Sequence, residues 1–512
     1  MNRRAQRAAS GPPKVHFLPE RSAIIPATPQ TPSMSVPRLQ APREGAVLGA
    51  APEIRLTRDA FRLSAFLLVI LSISKFQGYF AILRLLRPAF LAFGFCLAYA
   101  FANPRRVSSG NIFRFWPPRI VVALGFVACC SAVFGISLGH SAVFILQDYW
   151  KTLATTFLLI FVVRHATDLR RLTWSVGIGG IVLAYISIFI VGISKTSSAV
   201  TYDANDVGTI MAMCLPLTLL MAQTSRGWAR WFSLTGVALI ATTIAKTQSR
   251  GAFIGLLCVA ASLLFMLPGT RFAKRFLYVA IAAVAMSLTA PPGYWQSMKS
   301  FLSAPTEDYN WDAVNGRRQV AKRGIEYMLA YPIFGVGINN FGRAEGTISE
   351  KARDAAPNQG VRWTAPHNSF VQAGAETGLT GLVLWVSLFV GGMLSMWRLH
   401  RRMPPEWRNR GTEDQRFLYY LTGYLPVAFV GFAVTASFVS FAWIQPIYTL
   451  AALVTGAHLA FEHERAGPVR AVHPQPEFRS SRWAASRLPL RGQPRVSTFF
   501  PALLLFAHFH GN

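Results

Sequence analysis

The stretch Val-Gly-Thr-Ile-Met-Ala-Met-Cys-Leu-Pro-Leu-Thr-Leu-Leu-Met-Ala-Gln, at positions 207–223, contains no charged side chain. Its length suits the hydrocarbon thickness of a bilayer, where a segment must be helical because lipid offers no partner to unpaired backbone groups. Asp203 and Asp206 precede the stretch and Arg226 follows it. The pattern therefore predicts a membrane-spanning helix with polar ends.

Similar apolar runs recur along the 512 residues, of which 52% are hydrophobic and only 14% charged. This composition is too apolar for an ordinary soluble enzyme and predicts an all-α integral membrane protein. About twelve transmembrane helices are predicted: Phe61–Leu83, Leu86–Ala102, Arg119–Leu138, Trp150–Val163, Leu172–Ile193, Val207–Gln223, Trp231–Ala245, Gly251–Leu267, Phe276–Ala290, His367–Met396, Phe417–Phe438 and Val439–Phe461.

Basic residues predict the orientation of these helices. Arginines and lysines collect after the second, fourth, sixth, eighth and tenth spans, on the same side as both termini. The bias of positive charge toward the cytoplasm places that side, with both termini, in the cytoplasm. A large loop at about 292–366, between the ninth and tenth spans, is then expected on the opposite, outward-facing side of the membrane.

The polytopic membrane domain is expected at 59–461, between two basic tails. Residues 1–58 are rich in Pro, Ala and Arg without an apolar run, which predicts a disordered cytoplasmic tail. Residues 462–512 form a second basic cytoplasmic tail. The net charge of +29 fits membrane topology and attraction to anionic lipids, and no nucleic-acid-binding motif accompanies it.

Arg250 is the first candidate site residue, in the tight junction Thr247-Gln248-Ser249-Arg250-Gly251 between the seventh and eighth spans. An arginine at the end of a span often only extends its charge to the interface. The alternative is that Arg250 lines an outward cavity and binds an anion with its bidentate guanidinium.

Arg317 and Arg318 stand at the start of a predicted helix that runs to Ala330 and is ended by Pro332. Basic residues in a first helical turn oppose the helix dipole, so they are a poor choice for stability alone. A bound phosphate would remove the conflict. Solvated surface arginines remain the alternative.

His367 follows Ala365-Pro366 and is expected to open the tenth span. A lone histidine is most often structural, but this one can accept a proton near neutral pH and so activate a hydroxyl. Asp203 and Asn205 precede the sixth span and are equally well explained as helix-capping residues. The outer loop carries no aspartate-rich metal site, so no metal or other cofactor is expected.

In these residues the chain resembles the superfamily of O-antigen ligases and O-antigen polymerases. The resembling features, between about residues 200 and 395, are Asp203-Ala204-Asn205, Ser249-Arg250-Gly251, the block from Gly316-Arg317 through Tyr331-Pro332 to Gly335-Val336-Gly337 and Phe341, Pro366-His367-Asn368-Ser369-Phe370, and Glu376-Thr377-Gly378-Leu379-Thr380-Gly381. Their order and spacing are more specific than any one of them.

The resemblance implies an enzyme of the bacterial inner membrane with a periplasmic active site. It would transfer a glycan from an undecaprenyl-diphosphate donor to a hydroxyl. Arg250 and Arg317 would hold the diphosphate, His367 would activate the acceptor, and Asn368 and Glu376 would orient His367. Arg318, Asp203 and Asn205 complete the expected substrate-binding set.

The acceptor would be lipid A core for a ligase, the leading reading, or another glycan for a polymerase. A protein-glycosylating transferase is a third possibility of the same class. From a different class, a flippase or transporter would bind the same diphosphate without cleaving it. A transporter is expected to place its ionic residues near the midplane, whereas the candidates here lie at the outward ends of the predicted spans.

Overall fold

The computed structural model describes residues 52–107, 111–193, 202–266, 271–299, 316–354 and 363–466, and every regular element in these ranges is a helix. The predicted tails therefore lie mainly outside the described residues. The described residues from Asp59 onward form one compact unit.

The α-helices of the described ranges are numbered in chain order. They are α1 (Pro52–Ser74), α2 (Ala81–Leu86), α3 (Pro88–Ala102), α4 (Pro104–Val107), α5 (Trp116–Phe134), α6 (Leu138–Phe144), α7 (Trp150–Val162), α8 (Ala166–Tyr185), α9 (Ala204–Thr224), α10 (Gly227–Thr247), α11 (Arg250–Met266), α12 (Phe272–Thr289), α13 (Tyr294–Lys299), α14 (Arg317–Ala330), α15 (Phe341–Thr347), α16 (Glu350–Arg353), α17 (Ser369–Arg402), α18 (Glu413–Ala436) and α19 (Gln445–Ala466).

Within the described residues, seven helices are long and apolar enough to cross a membrane. They are Ala81–Ala102, Trp116–Phe134, Ala166–Ile190, Ala204–Thr224, Phe272–Thr289, Ser369–Arg402 and Glu413–Ala436. The other five predicted spans fall on α1, α7, α10, α11 and α19, of which α11 is a shorter apolar helix. An all-helical, multi-pass architecture is confirmed, while the count of twelve stays a prediction.

Helix α9 forms the centre of the bundle, and 89% of its 18-residue apolar stretch is buried. Small residues let its neighbours approach closely. A Cβ at Gly431 of α18 would lie 2.6 Å from the backbone oxygen of Ala212 in α9. Such small-residue contacts allow close van der Waals packing, which favours helix association in lipid.

Two predicted boundaries are wrong. The first predicted span, Phe61–Leu83, ends at Ser74 in the structure, and a short 3₁₀ turn at Phe76–Gly78 separates it from α2. Likewise, α18 ends at Ala436 and α19 begins only at Gln445. The intervening residues 437–444 form turns and bends, here called the 437–444 connection. Hydrophobicity alone did not reveal this interruption, because most of the connection is apolar.

Helix α17 is interrupted at Gly378, whose backbone has φ 71° and ψ −174°. The segment is therefore two helices, at 369–377 and 379–402, rather than the single predicted span His367–Met396. The break leaves the backbone oxygens of Ala375 and Glu376 without partners inside the helix. Those oxygens accept hydrogen bonds from elsewhere in the chain.

The Gly335-Val336-Gly337 turn fills this break. The Val336 N–H donates to the Ala375 oxygen at 2.9 Å, and the Gly337 N–H donates to the Glu376 oxygen at 3.1 Å. A Cβ at Gly335, where φ is +68°, would lie 2.5 Å from the backbone nitrogen of Thr377. Backbone hydrogen bonds thus hold the loop after α14 against α17. The two backbones can approach this closely because residue 335 is a glycine.

Candidate functional site

The 437–444 connection holds the start of α17 in place. The Ser440 hydroxyl accepts a hydrogen bond from the backbone N–H of His367 at 3.0 Å. The hydroxyl of Ser369 donates to the backbone oxygen of Val439 at 2.7 Å. His367 therefore lies between this connection and the first turn of the helix, two residues before the helix begins.

His367 has a left-handed backbone, with φ 46°, and its side chain is solvent-exposed. Within the described residues its imidazole makes no hydrogen bond. Reduced hydration by the surrounding protein lowers the pKa of His367 from its ordinary value of 6.5, and the positive charge of Arg317 lowers it further, while Asp203 acts in the opposite direction. The imidazole is thus neutral near pH 7 and able to accept a proton.

Arg317 is the first residue of α14, directly after Gly316, and its side chain is half-buried. The predicted helix Arg317–Ala330 is confirmed at both ends. Arg318, the next residue, is exposed. A cation in the first turn opposes the helix dipole. The charge of Arg317 also lowers the pKa of His367.

Arg250 is the first residue of α11, and both of its neighbours in sequence contact other parts of the site. The Ser249 hydroxyl donates to the Asn205 side-chain oxygen at 2.7 Å. A Cβ at Gly251 would lie 2.6 Å from the ring of Phe438, in the 437–444 connection. Arg250 is therefore held beside the start of α9 and the connection that carries Ser440. Convergence of Arg250 and Arg317 on one cavity stays a prediction.

Asp203 caps helix α9. Its carboxylate accepts hydrogen bonds from the backbone N–H groups of Asn205 at 2.7 Å and Asp206 at 2.8 Å. In turn, the Asp206 carboxylate accepts a hydrogen bond from the Asp203 N–H. This reciprocal capping box accounts for the position of Asp203. Its negative charge nevertheless acts on His367, so Asp203 has both a capping role and an electrostatic one.

Asn368 caps the first half of α17. Its side-chain oxygen accepts hydrogen bonds from the N–H groups of Phe370 at 2.9 Å and Val371 at 3.1 Å. Neither bond involves the imidazole of His367. The predicted orienting role of Asn368 stays a prediction; its observed role is to fix the backbone turn that follows His367.

Glu376 is buried, with only 2% of its surface exposed. Its carboxylate accepts hydrogen bonds from two backbone N–H groups and one indole ring. It accepts from the Asn339 N–H at 2.9 Å, the Phe341 N–H at 3.4 Å and the Trp443 indole at 2.5 Å. These bonds join α17 to the start of α15 and to the 437–444 connection. Orientation of His367 by Glu376 stays a prediction, since these described contacts go elsewhere.

A buried ion pair that the sequence did not predict forms the core of the loop region. Arg323 of α14 makes two hydrogen bonds to the Glu345 carboxylate, at 2.8 and 2.7 Å. The hydroxyls of Tyr327 and Thr364 donate to the same carboxylate, at 2.8 and 2.7 Å. Burial opposes ionisation, but these donors more than compensate and lower the pKa of Glu345. Arg323 and Glu345 therefore stabilise the loop.

A cavity of about 370 Å³ lies beside the backbone of His367, with Pro366 and Ser440 in its wall and His367 itself outside the lining. Its lining residues come from α6, from the segment around α15, from the start of α17 and its approach, and from the 437–444 connection. They are His140, Asn339, Phe341, Gly342, Arg343, Trp363, Thr364, Ala365, Pro366, Gln372, Glu376 and Ser440. The wall combines polar side chains with the aromatic rings of Phe341 and Trp363, a mixture found in many small-molecule sites.

Among the described residues, no three His, Cys, Asp or Glu side chains are grouped so that they could hold a metal ion.

Ser440 and Trp443 are site residues that the sequence analysis missed. Both lie within a run assigned to a continuous span, Val439–Phe461. The available signal was Gln445-Pro446, because proline is favoured in the first turn of a helix and so indicates a start near that point. A helix beginning there would have left Ser440 and Trp443 in a connection.

Residues 235–386 match the family model described as O-antigen ligase. The matched range contains Arg250, Arg317, Arg318, His367, Asn368 and Glu376. Asp203 and Asn205 lie before it. A comparison with curated proteins finds no match.

Proposed function

We propose, because residues 235–386 match the family model described as O-antigen ligase, that this protein is a membrane glycosyltransferase of the ligase type. It moves a glycan from an undecaprenyl-diphosphate donor to a hydroxyl acceptor at the periplasmic face of the bacterial inner membrane. The observation that supports the proposal best is the electrostatic grouping of His367, Arg317 and Asp203, which come from three different helix starts.

In this reaction an acceptor oxygen attacks the sugar carbon attached to the diphosphate. A new carbon–oxygen bond forms, the bond to phosphate breaks, and the diphosphate leaves with the electron pair. Negative charge therefore grows on the leaving group. Arg317 and Arg250 would stabilise that charge more in the transition state than in the bound donor, which is the condition for catalysis.

The acceptor hydroxyl loses its proton as the bond forms, and in this proposal His367 takes it. A histidine must be neutral to act as a base. The pKa of His367 is lowered by its surroundings and by Arg317, so the neutral form prevails near pH 7. The arginine that would hold the donor therefore also keeps the base ready to accept a proton.

The acceptor distinguishes a ligase from a polymerase. We propose lipid A core as the acceptor, with the growing end of another glycan as the alternative, in which case the protein is a polysaccharide polymerase. Membrane lipids surround the protein in either case. A flippase that binds the donor diphosphate without cleaving it is the alternative from a different class.

The experiment is incubation of the purified protein in lipid vesicles with an undecaprenyl-diphosphate glycan, without nucleotide and with a chelator present. Lipid A core and a repeat-unit oligosaccharide are supplied as acceptors in separate reactions. Glycan transfer to the first supports a ligase, and transfer to the second supports a polymerase. Movement of the intact donor across the bilayer, with no transfer to either acceptor, would refute the enzyme proposal in favour of transport.

A further inference from the structure

The cavity beside His367 is not needed to explain the fold. We propose that it binds the sugar ring that carries the acceptor hydroxyl, with the indole of Trp363 as the surface on which that ring stacks. The inference rests on the proposed function and adds to it the position of the acceptor.

Trp363 has the geometry of a stacking platform. It packs against two glycines of α15, Gly342 and Gly346, which lie one helical turn apart. A Cβ at Gly346 would lie 2.6 Å from the Cδ1 atom of the indole, so only glycine allows the ring to lie this close to the helix. The tryptophan nevertheless stays 56% exposed. It is supported by the helix and still offers a large aromatic surface.

A sugar ring suits such a surface. The C–H groups on one face of a pyranose carry partial positive charge, and the face of an indole carries partial negative charge, so the two faces attract. The hydroxyl groups at the edge of the sugar still need hydrogen-bond partners. A carbohydrate site therefore combines an exposed aromatic face with planar polar side chains around it.

The cavity wall supplies those polar side chains. Arg343 is exposed on the wall, and its guanidinium makes no ion pair or hydrogen bond with another described residue. Across the cavity, His140 lies 3.1 Å from the backbone oxygen of Asn339, measured from Nε2. Its other ring nitrogen has no hydrogen-bond partner among the described residues. These groups can donate to and accept from sugar hydroxyls.

The position of the cavity suits the acceptor sugar better than the donor diphosphate. Pro366 and Ser440 line it, and Ser440 is the residue that holds the backbone of His367. Because His367 itself is not in the lining, a bound sugar would reach the imidazole from the edge of the cavity that Pro366 and Ser440 form. Neither Arg250 nor Arg317 lines the cavity. A volume of about 370 Å³ is at the lower end of the range for small-ligand sites, which suits a terminal sugar rather than a long chain.

The first test separates the Michaelis constants of the two substrates. Trp363→Ala should raise the acceptor KM about tenfold, the scale of one lost stacking contact, and leave the donor KM within about twofold. Trp363→Phe keeps an aromatic face and should recover most of the loss. Trp228→Ala is the matched control, because Trp228 is also exposed but lies outside the cavity lining. An unchanged acceptor KM in Trp363→Ala, or a rise in the donor KM instead, would overturn the inference.

The second test measures binding without turnover. Saturation-transfer NMR is recorded on the full protein in nanodiscs with lipid A core oligosaccharide or a repeat-unit oligosaccharide, and no donor. The wild type should saturate the protons of the terminal sugar, and Arg343→Ala, which leaves Gly342 and Gly346 in place against Trp363, should weaken the signal. If the wild type binds neither oligosaccharide, the acceptor site is refuted. If it binds them through Trp363 but transfers nothing, the site stands and the transferase proposal fails.

Discussion

The backbone N–H of His367 donates a 3.0 Å hydrogen bond to the hydroxyl of Ser440, a residue 73 positions further along the chain. This bond helps hold His367 in a left-handed conformation, with φ 46°, that a non-glycine residue adopts only at a cost. Strained residues of this kind collect at functional sites. The bond ties the proposed base to the 437–444 connection, which joins α18 and α19.

Replacement of His367 by alanine should slow glycan transfer strongly and leave the fold intact. His367→Ala is expected to bind the lipid-linked donor normally and to lower transfer by about 10²–10⁴-fold, the usual contribution of a positioned acid–base group. Transfer is measured with labelled donor, and folding by monodisperse elution in detergent. Near-normal transfer by the folded variant would rule out His367 as the base.

The pH dependence of transfer should follow the charges around His367. Because only the neutral imidazole accepts a proton, activity should rise with pH through a pKa below 6.5 and be level above neutrality. Arg317→Gln removes a positive charge, raises the pKa of His367 and moves the rise to higher pH. Asp203→Asn removes a negative charge and moves it to lower pH, while asparagine still caps α9. Shifts in the same direction for both variants would contradict the grouping.

Lysine should not replace the proposed diphosphate ligands. Arg317→Lys and Arg250→Lys keep the charge but lose the bidentate guanidinium, so each is expected to lower transfer by about tenfold or more. Arg353→Lys, an exposed position in α16, is the control and should leave transfer unchanged. Full activity in both test variants would show that charge alone suffices.

The ion pair of Arg323 and Glu345 should stabilise the loop. Glu345→Ala removes the two hydrogen bonds between this carboxylate and the buried guanidinium of Arg323 and is expected to destabilise the protein by about 3–5 kcal/mol. The control is Glu326→Ala, which removes an exposed ion pair whose Lys322 nitrogen and Glu326 oxygen lie 3.7 Å apart. This change should lower the free energy of unfolding by about 0–1 kcal/mol. Thermal unfolding in detergent measures both, and equal losses would refute the buried role.

The same carboxylate predicts a dependence of stability on pH. The folded pKa of Glu345 lies below its ordinary value of 4.5. Its contribution is therefore complete above about pH 4.5 and is lost as the pH falls through the lower, folded value. Wild-type protein should lose stability in this acid range more steeply than Glu345→Gln, and parallel curves for the two proteins would contradict the assignment.

The helix break at Gly378 should tolerate no side chain. In Gly378→Ala the new Cβ would lie 2.5 Å from the backbone carbonyl of Ile333, and φ is +71°, so a loss of about 1–3 kcal/mol is expected. Gly139→Ala in α6 is the control, because nothing lies within 4 Å of the added atom. Limited proteolysis of the loop compares them, and equal digestion of the two variants would argue against a required glycine.

Local signals in the sequence predicted α14 from Arg317 to Ala330 to the residue. That helix was readable because Pro332 ends it and because the preceding residues suit a helix. Helix α9 was readable for a similar reason, since a charge-free run bounded by Asp203 and Arg226 has one stable form in lipid. Both conclusions rest on neighbouring residues, and neighbours in sequence are enough to support them.

The sequence by itself determined that this is an all-helical membrane protein and pointed to Arg250, Arg317 and His367. Only the tertiary structure decided which of its residues meet: Ser249 with Asn205, His367 with Ser440, and the Gly335 turn with the break at Gly378. The physical reason is that helix formation in lipid depends on local composition and length. Contacts between segments far apart in the chain depend instead on how the helices pack, and hydrophobic periodicity does not specify that packing.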